Sequence, residues 1–282
     1  MTVLANVLGR ATIVSGSEGF DLEAASDRQF GPDPQSLYAR WDEFLSFVEH
    51  FEPDPERVSP TPIMEGELLA PAPFPTQVFA IGLNYRSHAE ERGFELPERL
   101  AVFTKYPTCI GGGFDEVVIP EGGHVDHEVE LVVVIGRRAY RIADWEAWSH
   151  VAGVCVGNDF SERILQQAAG NQYSMGKSFP GFGPLGPFLV TPDELEDPDD
   201  LALSCAVNGE IFQQSRTSEM VFSVPRIIEE LSAVVPLLPG DVIFTGTPSG
   251  VGWATERYLE KGDTVECSIE GIGTIRNVMG SA

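Results

Sequence analysis

Positive charge is scarce in this sequence: 18 lysines and arginines stand against 43 aspartates and glutamates, a formal net charge of −25 over 282 residues. A field of that sign repels nucleic acid and anionic membrane surfaces, so neither is expected as a partner. No uninterrupted apolar run approaches the roughly 18 residues of a membrane span, and no basic start leads into an apolar core with a cleavage site. Both absences point to the cytoplasm. The four cysteines, Cys109, Cys155, Cys205 and Cys267, lack Cys-x-x-Cys spacing and are read as reduced core residues. Regular strand and helix alternation is missing, as is any internal repeat, which disfavours a doubly wound sheet or a solenoid. The acidic run over residues 193–200 is simplest as a solvated loop.

What is present suffices for one large domain and a small one. A strand-like start over residues 3–14 is followed by a Gly-containing break and an amphipathic helix, with Asp33 and Pro34 suited to its cap and first turn. Leu37, Trp41, Phe44, Leu45 and Val48 follow helical spacing, so their aromatic stripe is read as packing. Residues 53–75 hold seven of the 21 prolines, which stiffens the chain and excludes regular structure. The boundary falls there, giving a small N-terminal α+β domain over 1–65 and a larger domain over 66–282. Beyond it, short apolar strands are punctuated by Gly and Pro. Pro239-Gly240-Asp241 and Lys261-Gly262-Asp263 each introduce a strand, and Gly271 sits where a hairpin turns. The fold class expected is α+β and β-rich.

Charge enters one of these strands where apolar residues belong. Asp126-His127-Glu128-Val129-Glu130-Leu131 runs into Val132-Val133-Val134-Ile135-Gly136, and strand alternation points Glu128 and Glu130 the same way. Two carboxylates about 4 Å apart repel by on the order of 4 kcal/mol at an effective dielectric near 20, so the pair must be solvated, protonated or bridged by a cation. Asp159 ends a second apolar run, 151–159, just before the helix-like stretch 161–166. Three hard oxygen donors without an obvious Cys or His partner favour Mg²⁺, Mn²⁺ or Ca²⁺ over zinc or copper. The commoner use of Glu-x-Glu is the solvent face of an edge strand, and alone the pair would be read that way.

Other segments carry weaker signals. Residues 79–91 start as a strand and turn polar, with His88 and Glu91 three apart on one helical face. A carboxylate there can orient the imidazole and raise its basicity, and a surface ion pair is the plainer alternative. Lys177 lies in the Gly/Pro-rich stretch 176–187, which lacks the Gly-x-x-x-x-Gly-Lys of a phosphate loop and offers the lysine to an anionic substrate instead. Residues 246–252 follow a strand, and their glycines permit close backbone approach to a ligand or simply a tight turn. His50 and His150 have no partner pattern, whereas His124 and His127 flank the carboxylate strand.

In this order, Asn84-Tyr85-Arg86-Ser87-His88, Glu128-Val129-Glu130-Leu131, Asn158-Asp159, Gly176-Lys177-Ser178, Gly183-Pro184-Leu185-Gly186-Pro187 and Gly246-Thr247-Pro248-Ser249-Gly250 resemble signatures of the fumarylacetoacetate hydrolase family, over roughly residues 75 to 280. The resemblance implies a mixed β-sheet roll flanked by helices, a homodimer, and a small variable N-terminal domain. It implies Glu128, Glu130 and Asp159 as ligands of Mg²⁺ or Mn²⁺, with Ca²⁺ a further option. It also implies His88 with Glu91 as a water-activating pair on a mobile lid, with Lys177 catalytic and Arg163, Gln166 and Thr247 holding a 2-oxo-acid substrate. The implied reaction is hydrolysis of a carbon–carbon bond in an acylpyruvate-like or other 2,4-dioxo acid. Oxaloacetate decarboxylation and 2-hydroxydienoate isomerisation or lysis are alternatives on the same scaffold, and a non-catalytic, metal-dependent 2-oxo-acid binder is one of another class. Two positions depart from the family pattern: Pro180 stands where many relatives have Asp, and His127 where an aromatic usually precedes the first metal glutamate.

Overall fold

The computed structural model describes residues 3–282 apart from 53, 55–57, 92, 94, 169 and 171. Its centre is the strand Val129–Ile135, buried at every residue. Val151–Asn158 pairs antiparallel on one side of it, with Val132 opposite Cys155, and Val242–Phe244 pairs antiparallel on the other. Val78–Gly82 follows, parallel to Val242–Phe244, and Ala101–Thr104 closes that end. In the opposite direction Val151–Asn158 is flanked by Gly183–Val190 and then by Val3–Val7, Arg10–Ser15 and Glu18–Asp21. A second, five-stranded sheet runs Glu210–Arg216, Ala202–Val207, Thr264–Ile269, Gly273–Ser281, Val117–Ile119. Parallel and antiparallel pairs coexist in both sheets, and the helices are short and few among the described residues. This is the β-rich architecture expected from Gly- and Pro-bounded strands, with the mixed sheets that the family resemblance implies.

Strand alternation divides the core into two faces. Val129, Leu131, Val133 and Ile135 point toward the second sheet, where they pack with Leu203, Cys205, Val265, Cys267 and Ile275. Val132 and Val134 point the other way and meet Leu37, Tyr38, Trp41 and Phe44 of the N-terminal helical segment. The aromatic stripe is therefore packing. Asp33 caps its first helix by accepting from the N–H groups of Gln35 and Ser36. Glu128 and Glu130 continue the even-numbered face just beyond the point where this apolar packing ends.

The strand-like start expected over residues 3–14 is two strands with a turn between them. Leu8 and Gly9 both adopt positive φ, which turns the chain into the hairpin Val3–Val7 and Arg10–Ser15. Val3–Val7 then hydrogen-bonds across to Gly183–Val190, with Leu4 opposite Leu189, so the N-terminal strands extend the main sheet. Pro53 and Pro55, where the proline-rich stretch begins, lie outside the described residues. All four cysteines are free and buried, as expected. No helix of the described residues is long and apolar enough to cross a membrane.

Trp41 is 3 % exposed and stacks on Tyr38 at 5.6 Å while lying 5.0 Å from Phe44. Trp41→Ala is expected to cost about 3–5 kcal/mol of stability, read as a lower urea midpoint at unchanged slope.

Candidate active site

Backbone hydrogen bonds bring two distant segments into register. The Glu128 N–H donates to Asn158 Oδ1 at 2.8 Å, and the Asp159 N–H donates to the Glu128 carbonyl at 2.9 Å. Glu130 lies opposite Gly157 in the adjoining ladder. One ligand atom from each of Glu128, Glu130 and Asp159 falls within 4.8 Å of the others, and all three residues are buried. The strand that carries them is central, so the edge-strand alternative for Glu-x-Glu does not hold.

Cations surround two of the three carboxylates. Lys177 Nζ lies 2.8 Å from Glu128 Oε2, 2.7 Å from Asp159 Oδ2 and 2.8 Å from Ser161 Oγ. Arg163 bridges Asp126 Oδ1 at 2.7 Å and Glu128 Oε1 at 2.5 Å, and its Nη1 donates to Gln166 Oε1 at 2.8 Å. Lys105, fully buried, donates to Asp159 Oδ1 at 2.5 Å, to the Phe182 carbonyl at 3.2 Å and to the Lys177 carbonyl. Burial opposes charge on Glu128, but Lys177 and Arg163 more than offset it and hold its carboxyl below the usual range. The same carboxylates raise the pKa of Lys177 against its own burial.

Glu130 is treated differently. Its Oε2 accepts the Gly246 N–H at 2.6 Å, yet burial, followed by the charges of Asp159 and Glu128, pushes its pKa well above the carboxylate range. A buried acid crowded by two others is stabilised in its ionised form by a multivalent cation. Three oxygen donors of this kind fit a hard divalent ion, Mg²⁺, Mn²⁺ or Ca²⁺. Gly246 supplies its N–H from a backbone at φ +100°, where an added Cβ would stand 2.7 Å from Asn84 Cβ. Asn84 is itself fixed, donating to the Thr245 carbonyl at 2.7 Å and accepting the Phe222 N–H at 2.8 Å. Gly176 is equally constrained, since a Cβ there would lie 2.6 Å from the Gln166 backbone nitrogen, and this contact seats Lys177 beside the helix Arg163–Ala168.

His88 and Glu91 share the helix Arg86–Glu91, with Nδ1 3.5 Å from Glu91 Oε2 and side chains 12 % and 22 % exposed. They are more enclosed than a surface ion pair. Glu91 Oε1 also accepts the Gly250 N–H at 2.9 Å, which ties the helix to the 246–252 loop. His88, Glu128, Glu130, Arg163, Gln166, Lys177 and Thr247 line one pocket of about 680 Å³, open mouth included. Thr247 Oγ1 accepts from Gln213 Nε2 at 2.8 Å. All nine residues singled out in the sequence thus converge on one region, seven of them on the pocket wall.

The departures from the family pattern have structural answers. Pro180 is exposed, and Lys177 is anchored by Glu128, Asp159 and Ser161 without an acid at 180. His127 packs edge-on to Phe212 at 5.6 Å, and burial pushes its imidazole down to about 4, so it is neutral at neutral pH. Sequence reasoning missed Lys105, the partnership of Asp126 with Arg163, and the aromatic residues Phe103, Tyr173 and Trp253 that complete the wall. Spacing carried no sign of Lys105 or of the three aromatic residues, because each comes from a segment remote from the carboxylate strand, and Asp126, two positions before Glu128, meets Arg163 only through the tertiary fold.

The family model described as "Fumarylacetoacetate (FAA) hydrolase C-terminal" matches residues 77–279. The mitochondrial oxaloacetate tautomerase Fahd2a of Rattus norvegicus is 43% identical over 212 residues, which cover 74% of this chain and 68% of that protein. Among solved structures, a candidate HpcE protein from Mycobacterium smegmatis superposes with a TM-score of 0.92 at 46% identity, each chain covered completely. Maleylpyruvate hydrolase from Sphingobium sp. SYK-6, in complex with manganese(II) ion and pyruvate, superposes with a TM-score of 0.81 at 28% identity, again over the whole of both chains.

Glu130→Gln separates metal binding from folding. Removing a crowded buried acid is expected to raise the melting temperature of the metal-free protein, while the Mn²⁺ dissociation constant measured by calorimetry increases at least about tenfold. A variant that binds Mn²⁺ as tightly as the parent would show that Glu130 is not a ligand.

Proposed function

Because the chain belongs to the fumarylacetoacetate hydrolase family, we propose that it is a divalent-metal-dependent hydrolase that cleaves a carbon–carbon bond in an acylpyruvate-like 2,4-dioxo acid. The observation that carries this reading is that Glu128 and Glu130 of the carboxylate triad and His88 of the His88 and Glu91 pair line one pocket. Glu128, Glu130 and Asp159 hold the cation, and when bound it supplies Lewis-acid stabilisation of negative charge developing on the substrate's keto oxygen.

The chain's own groups do the rest. Glu91 faces Nδ1 of His88, which leaves Nε2 as the nitrogen that takes a proton from water. The water oxygen bonds to the distal carbonyl carbon, and the bond from that carbon to the adjacent methylene breaks. Its electron pair passes into an enolate, which is then protonated, so one water yields a carboxylic acid and a 2-oxo acid. Lys177, held by hydrogen bonds to Glu128, Asp159 and the Ser161 hydroxyl, sets its positive charge beside the developing enolate. Arg163, Gln166 and Thr247 orient the substrate. A homodimer in the cytoplasm forms part of the same proposal.

The 43% identity to an oxaloacetate tautomerase favours a second reading, keto–enol proton transfer on oxaloacetate with His88 as the proton carrier. Product analysis distinguishes the two, since tautomerisation releases no carboxylic acid.

His88→Ala is expected to lower kcat on acylpyruvates about 10²–10⁴-fold while leaving the calorimetric Mn²⁺ affinity within about twofold. Unchanged turnover would remove His88 from the mechanism. Chelation is expected to abolish turnover, with Mg²⁺ or Mn²⁺ restoring it.

A further inference from the structure

Beyond the charged floor the pocket changes character. Phe103 and Tyr173 meet edge to face at 5.7 Å, and with Trp253, Ile81 and Leu83 they make most of the remaining wall. The two cations that reach this wall each lie near an aromatic ring: Lys177 Nζ is 5.3 Å from the Phe103 centroid and Arg163 is 5.7 Å from Trp253. Both are also paired with carboxylates, Lys177 with Glu128 and Asp159, Arg163 with Asp126 and Glu128. Gln166, Gln167 and Thr247 are neutral, and no third lysine or arginine of the described residues lines the pocket.

We propose that the substrate is a 2-oxo acid with a single carboxylate and an uncharged aromatic or bulky apolar acyl substituent, preferred over the corresponding dicarboxylates; this rests on the metal-dependent 2-oxo-acid reading above. The geometry of the wall supports it: both lysine and arginine side chains that line it already face carboxylates, Lys177 at Glu128 and Asp159 and Arg163 at Asp126 and Glu128. A second carboxylate at the far end of the substrate would lose water against an apolar, aromatic wall, with no lysine or arginine among the described wall residues that is not already paired with a carboxylate. An aryl or alkyl group instead adds to the contacts already made by Phe103, Tyr173 and Trp253.

The test compares matched pairs with the Mn²⁺-loaded protein: benzoylpyruvate against its para-carboxylated analogue, and pentanoylpyruvate against succinylpyruvate. The uncharged member of each pair is expected to have at least about tenfold higher kcat/KM. Equal values, or preference for the dicarboxylate, would overturn the proposal. If none is turned over, the hydrolytic reading has failed, and calorimetric affinities decide this inference instead: tighter binding of the uncharged members sustains it, and equal, reversed or absent binding defeats it. Tyr173→Arg, at a partly exposed wall position, is expected to narrow the preference at least about fivefold, whereas Tyr173→Phe retains it. A preference unmoved by Tyr173→Arg would show that this wall does not meet the substituent.

Discussion

Burial of like charge at the end of a central strand is the constraint on which the rest of this molecule depends. Carboxylates cannot be packed together away from water unless something supplies opposite charge, and three cations drawn from separate segments do so here. Lys105 holds one oxygen of Asp159 and Lys177 the other, while Arg163 holds Glu128 against Asp126. Each of these side chains must cross apolar surroundings to reach its partner, so the strands and loops that carry them are fixed relative to one another. Glu130 accepts a backbone N–H and makes no direct ion pair with a lysine or arginine among the described residues, Lys177 acting on it only at longer range, so it is the position at which a metal ion would change the electrostatics most.

The architecture around this cluster is arranged to keep it dry and in register. Odd-numbered residues of Val129–Ile135 are sealed by the five-stranded sheet, and Val132 and Val134 by the N-terminal aromatic segment. Only where the even face runs out does the pocket open. The glycine at 246 gives its loop a backbone geometry closed to other residues, which lets an amide hydrogen, in place of a side chain, reach the acid. Rigid backbone support of this kind suits a site whose groups must hold position while charge moves through the substrate.

How much of this could be read beforehand depended on whether a signal was local. Alternation placed Glu128 and Glu130 on one face because a period of two needs only neighbouring residues, and the helical spacing of Trp41 and Phe44 identified packing for the same reason. Asp159 was found because it ends its strand as the glutamates begin theirs. Lys105 was not found, since a lysine between a strand and a proline turn looks solvated until tertiary structure sets its ammonium against a residue 54 positions away. Tyr173, in a loop, and Trp253, in the short helix Gly252–Thr255, likewise belong to segments whose sequence says nothing about which cavity they border. The turn that divides the strand-like start of the chain carried no sequence signal at Leu8, a residue seldom found at positive φ.

The seam between Trp41, Phe44 and the even face of Val129–Ile135 has a consequence for how the protein changes over time. The strand carries apolar residues at one end and leads into the acids at the other, so a volume change beneath Trp41 falls on the same element that positions the glutamates. Drift in the N-terminal segment is therefore coupled to the chemistry: its surface is free to diverge, but the residues that touch Val132 and Val134 can be exchanged only in combinations that conserve volume. Lineages that replace this segment wholesale must rebuild that contact before the floor of the pocket returns to its place.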